Sequence, residues 1–196
     1  MTNRAPASLP ADYFAALYAA SPDPWDFAGS DYERAKYAAT LAALPRSRYR
    51  HALEVGCSIG VLTRLLAGRC DRVLALDAAE AALAAARNRC TGLPGVAFRR
   101  MMVPGEWPEV GSFDLILLSE VVYYLDRPDV ARLAGRVRHA LAPDGAVVLV
   151  HWTGPTDYPL SGDAAADAFI ASAGFLAVSR QERAARYRLD VLQRPG

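Results

Sequence analysis

Apolar positions change period along this chain in a regular way. Asp12–Ala20 carries aromatic and aliphatic residues at helical spacing, and the S-P-D-P-W run from Ser21 to Trp25 breaks it, because proline fixes its own φ and restricts its predecessor. Residues 1–10 read as a loose arm before this helix, and Asp31–Leu44 as a second helix stopped by Pro45. Beyond Pro45, short apolar runs at His51–Val55, Arg72–Leu76, Val96–Arg100, Phe113–Ser119 and Ala146–His151 predict strands. Helical patterns stand at Val61–Ala67, Ala79–Cys90, Val130–Leu141 and Asp163–Ala173, with P-D-G at 143–145 as a turn. Phe175–Ser179 and Arg186–Leu192 read as two closing strands. Strand and helix alternate five times before that pair, and F-D-L-I-L-L-S at 113–119 is apolar almost throughout, as a parallel strand covered on both faces must be. The pattern predicts an α/β fold: a doubly wound, mostly parallel seven-stranded sheet with one antiparallel strand near the C-terminus.

Composition narrows this without redirecting it. The 196 residues suit one domain, 1–196, divided into a helical extension at 1–45, a candidate lid, and a core at 46–196. Hydrophobic residues make up 53% and charged residues 22%, enough apolar surface for a sizeable core. Twenty-two basic residues stand against 21 acidic ones, a balance that disfavours a nucleic-acid partner. Cys57, Cys70 and Cys90 form no C-x-x-C pair, and His51, His139 and His151 lack metal-ligand spacing, so neither a disulfide framework nor a metal site is expected. No apolar run approaches membrane-spanning length and the first residues have no signal-peptide pattern, which makes the cytoplasm the expected location.

Ligands of open α/β sheets lie beyond the carboxyl ends of the strands. Two segments at such ends carry candidate chemistry. Glu54-Val55-Gly56-Cys57-Ser58-Ile59-Gly60 joins the first core strand to its helix, with glycines that let the backbone turn and approach a ligand closely. Asp77 closes the next strand, where a carboxylate can accept from both hydroxyls of a ribose. A dinucleotide enzyme would show G-x-G-x-x-G here to seat a pyrophosphate, but the loop reads G-C-S-I-G. That spacing disfavours an NAD-dependent dehydrogenase and suits a ligand without a diphosphate, such as S-adenosylmethionine.

These two elements look like the first motifs of class I methyltransferases. Y-F-A-A-L-Y (13–18), D-P-W (23–25), Y-E-R-A-K-Y (32–37), E-V-G-C-S-I-G (54–60), S-E-V-V-Y-Y-L (119–125), H-W (151–152) and Y-P-L-S-G-D (158–163) are similar to the nodulation-type methyltransferases, over roughly residues 12–165. The resemblance implies a Rossmann-like fold, S-adenosylmethionine as methyl donor with S-adenosylhomocysteine as product, and N-methylation of an amino-sugar acceptor. It places Glu54, Gly56, Cys57, Ser58, Gly60, Asp77, Met102 and Val103 at the cofactor. Two departures stand out: Met102 falls where class I members carry an acidic residue at the adenine amine, and Ala166 falls where relatives often have histidine. Adenine recognition is then expected to rest on backbone groups and apolar packing.

An amine attacks a sulfonium methyl only when neutral, so a carboxylate near the acceptor can take or direct its proton. Glu120, directly after the buried strand, is the candidate, with His151 at the end of the fifth strand as a second polar group or base. Tyr123 and Tyr124 are adjacent and cannot share one helix face, so one is expected in the core and the other in the pocket. Trp25, Tyr32 and Tyr37 are the candidate lid aromatics, and Arg34 and Lys36 candidates for the cofactor carboxylate. An O-methyltransferase is the near alternative, favoured if His151 rather than Glu120 is essential. A non-catalytic binding module is the other.

Overall fold

The computed structural model describes residues 4–109 and 112–195. Seven strands form one sheet in the order β3-β2-β1-β4-β5-β7-β6, with β1 Tyr49–Val55, β2 Cys70–Asp77, β3 Val96–Arg100, β4 Phe113–Ser119, β5 Leu141–Trp152, β6 Ala177–Arg183 and β7 Tyr187–Gln193. The first five are parallel, and β7 alone runs against its neighbours β5 and β6. The doubly wound, mostly parallel sheet with one antiparallel strand is therefore the fold present. The order reverses between β1 and β4, a switch point that opens a crevice at their carboxyl ends.

Every residue of β4 is buried because it lies at the middle of the sheet. Its side chains alternate between two cores: Ile116 and Leu118 pack with Val130, Leu133 and Val137 of α5 (Arg127–Ala140) and Phe169 of α6 (Gly162–Ser172). Leu115 and Leu117 face the other way, with Leu62 and Leu66 of α3 (Val61–Leu66) and Tyr37 of α2 (Asp31–Ala43). Ahead of the sheet, α1 (Ala11–Ala20) lies over α4 (Glu80–Arg89), with Tyr18 packed on Ile59, Ala79 and Ala82. Side-chain caps start several helices: Ser30 accepts from Glu33 N–H at 3.3 Å, Asp126 from Asp129 N–H at 2.9 Å, and Ser161 from Ala164 N–H at 3.2 Å.

The sequence pattern and the structure part company at identifiable places. The alternation lapses between β3 and β4, where the described residues of the connection form no helix. α5 begins at Arg127 instead of Val130, because Asp126 caps it and Pro128 suits its first turn. The P-D-G turn is a bulge inside β5: pairing passes from Phe113–Leu141 to Leu115–Ala146, and the residues between leave the ladder. β6 lies at Ala177–Arg183, not 175–179; Phe175 and Leu176 pack on the core, and the strand itself is a polar edge. Of the expected loose arm, residues 1–3 lie outside the described residues, and the rest is docked. Ala5 N–H donates to Asp157 O at 2.8 Å, Leu9 N–H to Tyr124 O at 2.9 Å, and Asp126 N–H to Ser8 Oγ at 2.9 Å. No helix among the described residues is long and apolar enough to cross a membrane.

Candidate functional site

The glycine loop is built by hydrogen bonds to the end of β2. Gly56 and Cys57 N–H both donate to Leu76 O at 2.8 Å, and Ser58 N–H donates to Asp77 Oδ2 at 2.8 Å. Gly56 (φ +77°), Ser58 (φ +49°) and Gly60 (φ +78°) all take the left-handed region, where glycine is nearly free of strain. At Gly56 a Cβ would lie 2.2 Å from Val121 Cγ2, and at Gly60 one would lie 2.9 Å from Ala86 Cα, so both glycines also serve close packing. Asp77 takes a second N–H, from Ala79, at 2.9 Å on Oδ1. Burial lifts its carboxyl above the usual range, against the pull of these N–H donors, and each oxygen keeps lone pairs free for a ligand.

Asp77, Gly56 and Ser58 line one common cavity. Met101, Met102, Val103, Val121 and Leu125 give it apolar walls, and Phe14, Tyr18, Trp25 and Phe27 close it from the N-terminal segment. Phe14 and Tyr18 of the Y-F-A-A-L-Y segment were not among the expected site residues, although their four-residue spacing places them on one helix face. Met102 lines the cavity as expected, yet its N–H is already donated to Glu106 Oε2 at 2.6 Å and its carbonyl accepts Glu106 N–H at 2.9 Å. Recognition by the Met102 backbone is thereby limited, and the apolar wall is what remains at that position. Cys57 and Glu54 line a smaller adjoining cavity of about 340 Å³, which shares Gly56, Ser58 and Glu120 with the larger one. Glu54 accepts from Thr63 Oγ1 at 2.6 Å, and burial first, then Asp77, pushes its carboxyl up to about 8.

Glu120 stands where the cavities meet. It lines both of these and a third, of about 950 Å³, walled by Tyr32, Glu33, Tyr123, Trp152 and Tyr158. Its backbone has φ +57°, an uncommon conformation for a residue with a Cβ. Both carboxylate oxygens are occupied: Lys36 Nζ pairs with Oε1, while Oε2 accepts Tyr123 OH at 2.7 Å and Trp152 N–H at 2.9 Å. Lys36 is 2% exposed and also bonds Glu33 Oε1 at 2.9 Å. Burial alone would lower its ammonium, but Glu120 and Glu33 outweigh that and hold it above its usual range. Lys36 therefore serves two protein carboxylates instead of a cofactor, and Arg34 is exposed and paired with Asp31.

The remaining candidates divide sharply. Trp25 and Tyr124 line both large cavities, and Trp25 stacks on Phe27 with centroids 5.5 Å apart. Tyr123 and Tyr124, on the 3-10 turn Val122–Tyr124, do not divide between core and pocket as expected: both are buried in the core cluster and both line the third cavity. Tyr32 lines the same cavity, whereas Tyr37 lines the small cavity with Glu54. His151 is the clear correction. It is 0% exposed and lines none of the three cavities; its Nε2 accepts Val122 N–H at 3.2 Å. Burial lowers its pKa to about 4, so the ring is neutral and props the 3-10 turn through Nε2, while its buried Nδ1 has no hydrogen-bond partner among the described residues.

The sheet order and the cavities at its switch point define a Rossmann-like methyltransferase fold, and solved structures share it. A putative methyltransferase from Pseudomonas syringae is 38% identical, with a TM-score of 0.73 over 83% of this chain and 99% of that one. The N-methyltransferase NodS from Bradyrhizobium japonicum WM9, solved with S-adenosyl-L-homocysteine, has a TM-score of 0.82 over 95% of this chain and 99% of that one, at 20% identity. The family model of nodulation protein S matches residues 16–151, and the chain belongs to that family. Nodulation protein S of Rhizobium tropici is 33% identical over 131 residues, 66% of this chain and 55% of that protein, so the chain spans little more than half of that relative's length.

Proposed function

We propose that this protein is an S-adenosylmethionine-dependent methyltransferase that methylates nitrogen on a small amine-bearing acceptor, an amino sugar being the best fit. The observation that carries the reading is the junction at Glu120 of an apolar cavity bearing Asp77 and an aromatic cavity bearing carboxylates. When bound, the cofactor supplies an electrophilic methyl on a sulfonium, so placing donor and acceptor in line provides much of the acceleration. Asp77 takes the ribose hydroxyls, the Met101–Val103 wall and Val121 hold adenine, and the small cavity beside Gly56 takes the methionine end. Trp25, Tyr123, Tyr124 and Tyr158 offer flat faces suited to a sugar ring. The 1–45 extension, which closes both cavities through Phe14, Tyr18 and Trp25, acts as the lid that excludes water.

Glu120 acts on this reading as a positioning residue. Its carboxylate is already fixed by Lys36, Tyr123 and Trp152, and its service is to fasten Lys36 of the lid helix to the end of β4. An oxygen acceptor would need a base that His151 was expected to supply, and the buried ring lines no cavity, which leaves nitrogen as the preferred reading. Catalysis rather than mere binding is supported by an acceptor cavity as elaborated as the cofactor one. The partner is a small molecule and not a nucleic acid, and three buried, unpaired cysteines suit the reducing cytoplasm. Calorimetry should show binding of S-adenosylmethionine and S-adenosylhomocysteine and none of NAD. Methyl transfer from radiolabelled cofactor to a panel of amines and their hydroxyl counterparts tests the rest. Tight cofactor binding with no transfer to any acceptor would leave a binding module.

A further inference from the structure

Two buried polar atoms on residues that line the acceptor cavity have no hydrogen-bond partner among the described residues: Glu33 Oε2 and Tyr32 OH. Both residues line the 950 Å³ cavity, and the Glu33 side chain is only 9% exposed. A buried carboxylate oxygen without a donor is costly, and such a group in a cavity wall marks a place where a ligand supplies the missing hydrogen. The other half of the carboxylate is fixed, since Oε1 accepts from Lys36 Nζ at 2.9 Å and Lys36 is in turn tied to Glu120. Glu33 is thus held through Oε1, with the Tyr37 hydroxyl also beside its carboxylate, and Oε2 is the oxygen left without a hydrogen bond. Two carboxylates share Lys36 here, while Arg186 stands farther along the same cavity wall, so Glu33 and Glu120 are the acidic groups a ligand cation would meet.

We propose that Glu33 is the residue that receives the acceptor's amino group, accepting a hydrogen bond from its ammonium on Oε2 and then its proton. The step balances within the site: the N–H bond of the ammonium breaks, its proton passes to Glu33, and the nitrogen keeps the electron pair. That pair forms the N–CH₃ bond as the C–S bond breaks and its electrons return to sulfur. Burial raises the Glu33 carboxyl, opposed by Lys36, which brings its proton affinity toward that of an amine. Lys36 and Tyr37 from its own helix, Glu120 from the end of β4, and Tyr32 and Arg186 on the cavity wall are the charged and titratable groups around it. Tyr32 OH supplies a second polar contact, suited to a hydroxyl next to the amine. The inference rests on the methyltransferase reading but assigns to Glu33 the proton-accepting role that the sequence suggested for Glu120.

The test uses the full chain loaded with S-adenosylhomocysteine, whose binding is measured first; failure at that point would strike the methyltransferase reading and not this one. Glucosamine, its β-1,4-linked dimer and benzylamine are then titrated by calorimetry beside their N-acetyl forms. Wild-type protein should prefer the amines at least tenfold. Glu33→Gln should lose that preference at least tenfold while leaving cofactor affinity and the weak binding of N-acetyl forms in place. Glu33→Asp, which keeps the charge on a shorter stem, should restore part of the preference and serves if the glutamine variant folds poorly. With the active cofactor, kcat/KM for an amine should rise with pH more steeply in Glu33→Gln than in wild type, because only free amine then reacts. No preference for amines in wild type, or an undiminished one in Glu33→Gln, would overturn the proposal.

Discussion

In a Glu54→Gln variant, the proton held beside the glycine loop no longer varies with pH. Glu54 is 2% exposed, its one side-chain hydrogen bond comes from Thr63, and its carboxyl stands at about 8 against an ordinary 4.5. The unfolded chain therefore releases this proton near 4.5 while the native protein keeps it to about 8. Between those values the native state binds more protons, so stability falls as pH rises, by up to about 1.4 kcal/mol per unit. The full window is worth roughly 5 kcal/mol, of which about 2 kcal/mol falls between pH 6 and pH 8. Glutamine keeps the shape but disturbs the Thr63 hydrogen bond, a pH-independent cost of about 1 kcal/mol. Urea unfolding of both proteins at pH 6, 7 and 8 isolates the group, because every other titration cancels in the difference. The variant should gain on the wild type by about 2 kcal/mol over that range. A difference that stays flat, or that moves the other way, would mean that Glu54 is ionised in the native loop and that the account of its burial is wrong.

The other expectations can be put briefly. Asp77→Asn should weaken S-adenosylmethionine binding by about 1.5–3 kcal/mol, the scale of hydrogen bonds to a charged group; unchanged affinity by calorimetry would remove Asp77 from the ribose. His151→Gln, which can still accept Val122 N–H, should leave the pH–rate profile above pH 6 unaltered, since the native ring titrates at about 4. For the same reason His151 should lower stability only as pH drops from about 6.5 toward 4, where the unfolded chain takes up the proton first. Gly56→Ala combines a left-handed φ with a clash at Val121 and should cost about 2–5 kcal/mol. Adding Val121→Ala should recover the steric part, and a double-mutant cycle without coupling would refute the contact.

How much could be read beforehand depends on what each residue does with its side chain. β4 was legible because a central strand buries both faces, and Phe113–Ser119 shows this as an unbroken apolar run. β6 was misplaced because an edge strand needs only backbone partners; its residues are mostly exposed, so no apolar period marks it, while Phe175 and Leu176 beside it are apolar for core packing. Gly56, Ser58, Asp77 and Glu120 announced themselves through spacing relative to strand ends, and the structure brings them to one crevice. Tyr37 and His151 could not be sorted the same way. Both are polar-tipped rings near strand ends or on the lid helix, and only the direction of the side chain separates a cavity wall from a prop. The partner of Lys36 was equally invisible, since residues 36 and 120 meet through tertiary contact alone.

That contact also explains why a glutamate occupies a left-handed position at the end of β4. Glu120 N–H donates to Val150 O at 2.8 Å, so the backbone stays attached to β5 after the strand has ended. The positive φ then turns the side chain away from the sheet and onto Lys36 of α2. Such a conformation costs roughly 1–3 kcal/mol and persists only where the surroundings over-determine it. Here they do, through Lys36, Tyr123 and Trp152 on the two carboxylate oxygens. Glycine would relieve the strain but would leave the buried Lys36 with Glu33 alone and detach α2 from the crevice. On the proposed reading the strain therefore has a use: the residue that ends the central strand also fixes the lid helix, and the lid helix carries Glu33. Cofactor and acceptor cavities share a wall because one backbone turn at Glu120 serves both.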